Sequence, residues 1–375
     1  MQPKRFQSIV AIAPEPEGST QPLGKDPLSE VLRTVKLTGA LFFLVDATSP
    51  WGVEVPHAGV FGPIVLPRAQ HVVSYHIALR GCGYASLPGT RPVRFAAGDI
   101  IVFPHGDPYA MVSRPGGQVE FDAAASLEFL RAMAAGRLPF VVKEGGGGPE
   151  RAEFVCGFLG CDARPFNPLL EALPRLLHVQ RPAGDPHDLL ERLIDLTLSE
   201  ARISRAGGEC IRLRLSELIF VEVARRYLAT LEAGATGWLS GLRDPAVGQA
   251  LSLLHERPAY AWTLRELARQ TGVSRSVLAE RFMHLVGYPP MQYLTRWRMA
   301  LAARLLADGA AKVAAVSQEV GYASEAAFSR TFKRLAGVAP AVWRRQKDAD
   351  PISAPEPLQP QALESGTMSG PGRQP

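Results

Sequence analysis

An internal duplication constrains this chain more than any other feature. Phe282, Gly287, Pro290 and Tyr293 form the pattern F-x4-G-x2-P-x2-aromatic, and Phe332, Gly337, Pro340 and Trp343 form it again 50 residues later. Upstream, Leu278 matches Phe328 and Ser274 matches Ser324. A unit that recurs in this way must bury the same stripe twice. Each copy reads as two helices joined by a tight turn. Thr263 caps Leu264–Gln270, Gly272 permits the turn, and Ser274 caps a helix that runs to about Val286. The second copy has Val313–Val320, a turn at Gly321, and a helix capped by Ser324 that ends near Ala336. Gly287 and Gly337 act as helix stops, and Pro290 and Pro340 each start the next helix. The small residues Ala268 and Ser317 sit where paired helices approach closely. Met291–Leu306 is long enough to connect the copies, with Leu294, Trp297, Leu301 and Leu305 on its buried side.

Helical geometry then divides each second helix into two faces at about 100° per residue. Burying Phe328, Phe332 and Leu335 turns Ala326, Arg330 and Lys333 outward, with Glu325 and Ser329 at the margins. Burying Leu278, Phe282 and Leu285 exposes Ser276, Glu280 and Met283, flanked by Ala279. Either these faces are merely solvated or they meet a partner, and charge bears on the choice. Ala246–Lys347 holds 15 Lys and Arg against 6 Asp and Glu, out of 41 and 36 in the chain, so a +9 module joins a remainder with 26 basic and 30 acidic residues. Such a module favours a polyanion, because neutralising phosphates releases condensed counterions. Arg330 can bond guanine with two donors, whereas Glu280 can accept from a cytosine amino group and repels phosphate. The second helix is therefore expected to bind DNA more strongly than the first. Arg275, Arg281 and Arg334 suit phosphates, backed by the helix N-termini at Ser274 and Ser324.

The rest of the chain is organised differently. At 375 residues it exceeds one hydrophobic core, so two or three domains are expected. Residues 1–25 and 348–375 are rich in Pro, Gly and polar residues and read as disordered tails. Short β-type runs occupy Ala40–Val45, His71–Leu79, Val93–Phe95, Ile100–Phe103 and Phe154–Leu159, and Gly98-Asp99 reads as a hairpin turn. Pro168–Val179, Asp188–Arg202 and Arg212–Leu231 have helical periodicity, and Gly234–Gly241 reads as a linker. Leu189, Leu193 and Leu196 form one stripe, and Leu215, Ile219 and Tyr227 another. Asp188–Leu231 is expected to supply a homodimer interface that includes Leu193 and Ile219. No run approaches the ~20 apolar residues of a membrane helix. The N-terminus lacks the order of a secretory signal, which points to the cytoplasm, and four cysteines fit a reducing compartment. Cys156 and Cys161 form either a redox pair or buried structural thiols, with the second reading favoured.

The segment Val247–Arg345, including Phe332-Lys333-Arg334 followed by Gly337 and Pro340, resembles the DNA-binding domain of the AraC/XylS class of bacterial regulators. The resemblance implies two recognition helices entering successive major grooves about one DNA turn apart. Its base-contact positions fall on the outward residues named above. Gly98-Asp99 with Pro104-His105-Gly106 resembles the second motif of the cupin sensor found in one branch of that class. Asn167-Pro168-Leu169-Leu170 through Leu173-Pro174 resembles that branch's helical continuation. Where the cupin motif has a metal-binding histidine this chain has Tyr109, and of the first motif's ligands only His76 is suitably placed, so no metal or other cofactor is expected.

The implied fold is α+β: a cupin-like β-barrel at 26–165, a helical linker and dimerisation region at 166–240, and an all-α double helix-turn-helix domain at 244–347. The implied function is sequence-specific control of transcription as an activator, with double-stranded promoter DNA, RNA polymerase, an unidentified small-molecule effector and a second copy of the chain as partners. His76, His105 and Tyr109 either line the effector cavity or serve packing. Two other readings stay open: a cupin enzyme with a DNA-binding appendage, which would need a metal triad, and a redox-responsive regulator using its cysteines.

Overall fold

A computed structural model describes residues 26–348, apart from 35–36, 118, 120, 181–187, 202–204, 233 and 310. The two tail readings lie outside the described residues. The N-terminal part contains α1 (Pro27–Thr34), β1 (Leu37–Thr48), β2 (Gly52–Val55), α2 (Ala58–Val65), β3 (His71–Arg80), β4 (Cys82–Ser86) and β5 (Val93–Ala96). It continues through β6 (Ile100–Phe103), β7 (Tyr109–Val112), α3 (Ala123–Ala134), β8 (Val141–Gly145), β9 (Arg151–Cys161), α4 (Pro168–Ala172) and β10 (Leu177–Val179). These strands form a six-stranded sheet ordered β10-β6-β3-β9-β1-β8 and a four-stranded sheet ordered β2-β7-β4-β5.

The two-residue period of the long strands sorts their side chains into two cores. Phe43, Val45, Phe154, Cys156 and Phe158 face the four-stranded sheet, whereas Phe42, Tyr75, Ile77, Val155 and Leu159 face the opposite way. That second face is covered by α5 (Leu189–Ala201) and α6 (Gly208–Thr230), which explains why β3 is buried on both sides. The helices after position 188 are thus a layer of the N-terminal unit and not a separate linker. Leu193 and Ile219, expected at a subunit interface, are instead 5% and 3% exposed against the sheet. Leu189 and Leu196 diverge from Leu193, lying 47% and 56% exposed.

Three local expectations change. Pro168–Val179 is not one helix, because Leu173 takes an extended conformation before Pro174 and the chain then pairs with β6 through β10. Gly98-Asp99 does not close a hairpin, since β5 and β6 lie in different sheets and the turn bonds Ala78 at both ends. Gly234–Gly241 is not simply a linker: α7 (Trp238–Arg243) begins inside it and buries Trp238 and Leu239.

The C-terminal unit continues with α8 (Pro245–Glu256), α9 (Leu264–Gln270), α10 (Arg275–Val286), α11 (Pro290–Ala307), α12 (Val313–Glu319), α13 (Glu325–Ala336) and α14 (Pro340–Asp348). The second helix pair owns a separate core built on Phe328, Phe332, Leu306 and Trp343. The first pair's core, with Phe282, Tyr293 and Trp297, is continuous with the apolar layer behind the six-stranded sheet. On α11 the buried face includes Met299, Ala302 and Leu306, while Leu301 and Leu305 are only half-buried.

Candidate nucleic-acid interface and barrel cavity

Each recognition helix starts from a serine. Ser274 Oγ accepts from the Val277 amide at 3.3 Å, and Ser324 Oγ accepts from the Ala327 amide at 3.4 Å. The preceding turns need glycine, since Gly272 and Gly321 have φ of 71° and 85°. At Gly321 a Cβ would also lie 2.5 Å from the Ala259 carbonyl oxygen, so the second pair admits no side chain there. Phe282 with Leu278, and Phe332 with Phe328, are fully buried and anchor the inner faces.

Arg275, Ser276 and Glu280 on α10, and Glu325, Ala326, Arg330, Lys333 and Arg334 on α13, are exposed, as are the capping Ser274 and Ser324. Ala279 and Ser329 are half-buried at the edges of these faces. Arg330 and Lys333 make no ion pair among the described residues, so their donors face solvent. Arg281 differs from the expectation of a ready phosphate ligand, because its guanidinium lies 3.2 Å from Asp244, the cap of α8. Met283 is exposed as expected, at 51%, and Val277, which the helical-face reading passed over, is 40% exposed on the same helix. Their type suits a thymine methyl group.

A second candidate site lies between the two sheets. It is a narrow cavity of about 60 Å³ walled by apolar and aromatic side chains, including Phe43, Trp51, Met111 and Phe154. Two of the three expected residues meet on its wall. His76 Nε2 is 2.8 Å from the Tyr109 hydroxyl and His76 Nδ1 is 3.1 Å from Cys156 Sγ. Burial pushes the His76 imidazole down to about 3, and it raises both the Tyr109 phenol and the Cys156 thiol. The group is therefore neutral. His105 is not with them: it sits in the loop before β7, where its Nε2 is 2.8 Å from the Leu173 carbonyl oxygen. Cys161 lies five positions along the same strand and enters the opposite core, so Cys156 and Cys161 do not face each other.

The metal of the cupin motif does not fit these residues. Both nitrogens of His76 are engaged by protein groups, Tyr109 replaces the motif's histidine, and no three candidate ligands converge among the described residues.

The N-terminal and C-terminal units are joined by contacts that the sequence did not disclose. Phe166 packs against the rings of Tyr288 and Tyr293, with centroids 6.0 and 5.6 Å away. Arg296 lies 4.3 Å from the Tyr288 ring centroid, and the Tyr288 hydroxyl donates to Glu171 at 3.0 Å. Arg304 donates to the Arg33 carbonyl at 3.2 Å.

Comparisons with known proteins agree with this two-part architecture. A cupin family model matches residues 26–229, and a helix-turn-helix domain model matches residues 267–346. A Streptomyces antibioticus protein named an AraC-like transcription regulator is 32% identical over 326 residues, covering 85% of this chain and 98% of its own length. The transcriptional regulator AlkR of Acinetobacter baylyi is 27% identical, covering 86% of this chain and 99% of its own length. Among solved structures, the DNA-binding domain of AdpA in complex with a target DNA is 29% identical over 28% of this chain and 95% of its own, with a TM-score of 0.27.

Proposed function

The chain belongs to the AraC-like transcription regulators, and on that premise we propose that its barrel cavity receives a small-molecule effector whose presence alters how the two recognition helices engage promoter DNA. One observation carries this reading. The loop before β7 lies between the cavity wall and the segment that contacts the DNA-binding unit. Tyr109, on the cavity wall, comes directly after that loop; within it His105 holds the Leu173 carbonyl and Asp107 pairs with Arg175 at 2.5 Å. The segment so gripped carries Glu171, which bonds Tyr288. A shift of Tyr109 on ligand entry therefore has a short, bonded route to the first helix-turn-helix.

Base contacts in this reading come from Ser276, Ala279, Glu280, Ala326, Ser329, Arg330 and Lys333, with Glu325 beside them. Phosphate contacts come from Arg275, Arg334 and the capped helix starts, and Arg281 joins them once Asp244 releases it. The protein acts as a homodimeric activator in the cytoplasm, in contact with RNA polymerase, and not as an enzyme. No helix of the described residues is long and apolar enough to cross a membrane.

Promoter titrations of the full chain and of Glu171→Ala test the coupling. Loss of this bond should shift DNA affinity severalfold while leaving the melting temperature nearly unchanged. Identical affinities would remove the proposed route.

A further inference from the structure

The barrel cavity is specific about charge. We propose that it takes an uncharged, largely apolar molecule bearing one hydroxyl or carbonyl group, and that Ser126 on α3 is the side chain that bonds this group. The inference rests on the reading of the cavity as an effector site and adds the class of effector.

The composition of the wall opposes a charged ligand. Among the described residues it holds no Lys or Arg, and its one histidine is neutral because burial opposes protonation. An anion inside would have no counter-charge, and burying an unpaired charge is strongly unfavourable. Glu144, the one charged side chain in the lining, opposes an anion further. It is only half-buried and has interactions of its own, so it offers a cation a screened and shared partner.

The wall also holds an unmet hydrogen bond. Cys156, His76 and Tyr109 bond one another in a chain, and Tyr109 also bonds Ser74. That end of the wall is satisfied. Ser126 is 3% exposed, lines the cavity, and its hydroxyl has no partner. A buried hydroxyl left so is costly, and a ligand hydroxyl or carbonyl would satisfy it. The remaining wall is aromatic and aliphatic and supplies the apolar contact.

Four molecules sharing one small ring test the proposal: benzyl alcohol, benzoate, benzylamine and toluene, each titrated into the full chain at pH 7. The alcohol should bind at least about ten-fold tighter than the acid or the amine. Ser126→Ala should weaken the alcohol by about ten-fold, the worth of one hydrogen bond, and leave toluene unchanged. Alanine suits a helix, and a matching melting curve establishes that the variant folds. Tighter binding of the acid or amine, or an alcohol indifferent to Ser126→Ala, overturns the ligand class while leaving the cavity an effector site. No binding of any of the four to folded protein overturns both.

Discussion

Arg330 bears more of the DNA-binding account than any other single residue. It is exposed on α13 while Phe328 and Phe332 fix the inner face, so Arg330→Ala should leave folding almost unchanged. If the guanidinium reads guanine with two donors, the loss is ~1–3 kcal/mol on the specific site and much less on scrambled DNA. Equal losses on both sequences would make it a phosphate ligand, and no loss on either would contradict docking through α13. His255 gives a second residue-scale prediction. It is buried, stacked on Trp297 and bonded to the Tyr293 hydroxyl at 2.7 Å, and burial pushes its imidazole down to about 3. The unfolded chain binds that proton near pH 6.5 and the folded chain does not, so protonation favours unfolding throughout the window between. Relative to His255→Gln, the natural protein should lose up to about 1.4 kcal/mol of stability per pH unit as pH falls from 6 towards 4. Denaturant melts across that range measure it, and a pH-independent difference would contradict the neutral imidazole. Arg330 was legible from sequence because a helical face is set by spacing alone. The Arg281–Asp244 pair was not, because its partners come from different elements and no local pattern joins them.

At the scale of elements, the duplicated helices were legible because caps, glycine turns and buried aromatics recur in register, and α9, α10, α12 and α13 match those signals closely. The short strands β2, β4, β7, β8 and β10 were missed, since three to five residues carry too little alternation to register. Glycines hid α7: Gly237 and Gly241 flank or interrupt it, yet Trp238 donates its indole N–H to the Tyr293 hydroxyl at 2.8 Å. We therefore propose that the DNA-binding unit begins at Gly237. A fragment of residues 237–348 should melt well above one of residues 244–348, because removing a buried Trp alone costs about 3–5 kcal/mol. Equal stabilities would return α7 to the linker. The homodimer proposal also moves to new residues. Leu196 on α5 and Leu218 on α6 are 56% and 51% exposed, with Leu189 and Ile211 each seven positions before them. Changing Leu196 and Leu218 together to Glu should give a folded monomer by sedimentation. A dimer that survives this change would exclude the α5–α6 surface.

Across the whole molecule, the two helix-turn-helix units stand in unequal positions. The second has its own core, whereas the first shares an apolar layer with the sheet that backs the cavity. In the coupling we propose, movement in the barrel reaches α10 before α13, and α13, with Arg330, Lys333 and Arg334, holds DNA while α10 is adjusted. This inequality was invisible in a sequence whose two copies look alike; it arises from the long-range contacts of Phe166 and Glu171 with Tyr288. The central claim is that one chain reads DNA with both units at once. Selection of bound sites from a random DNA pool by the full chain, repeated at rising salt, tests it most directly. Two conserved patches about one helical turn, some 10 base pairs, apart within each chain's site are expected, with affinity falling steeply as salt increases. A single conserved patch, or binding indifferent to salt, would contradict it.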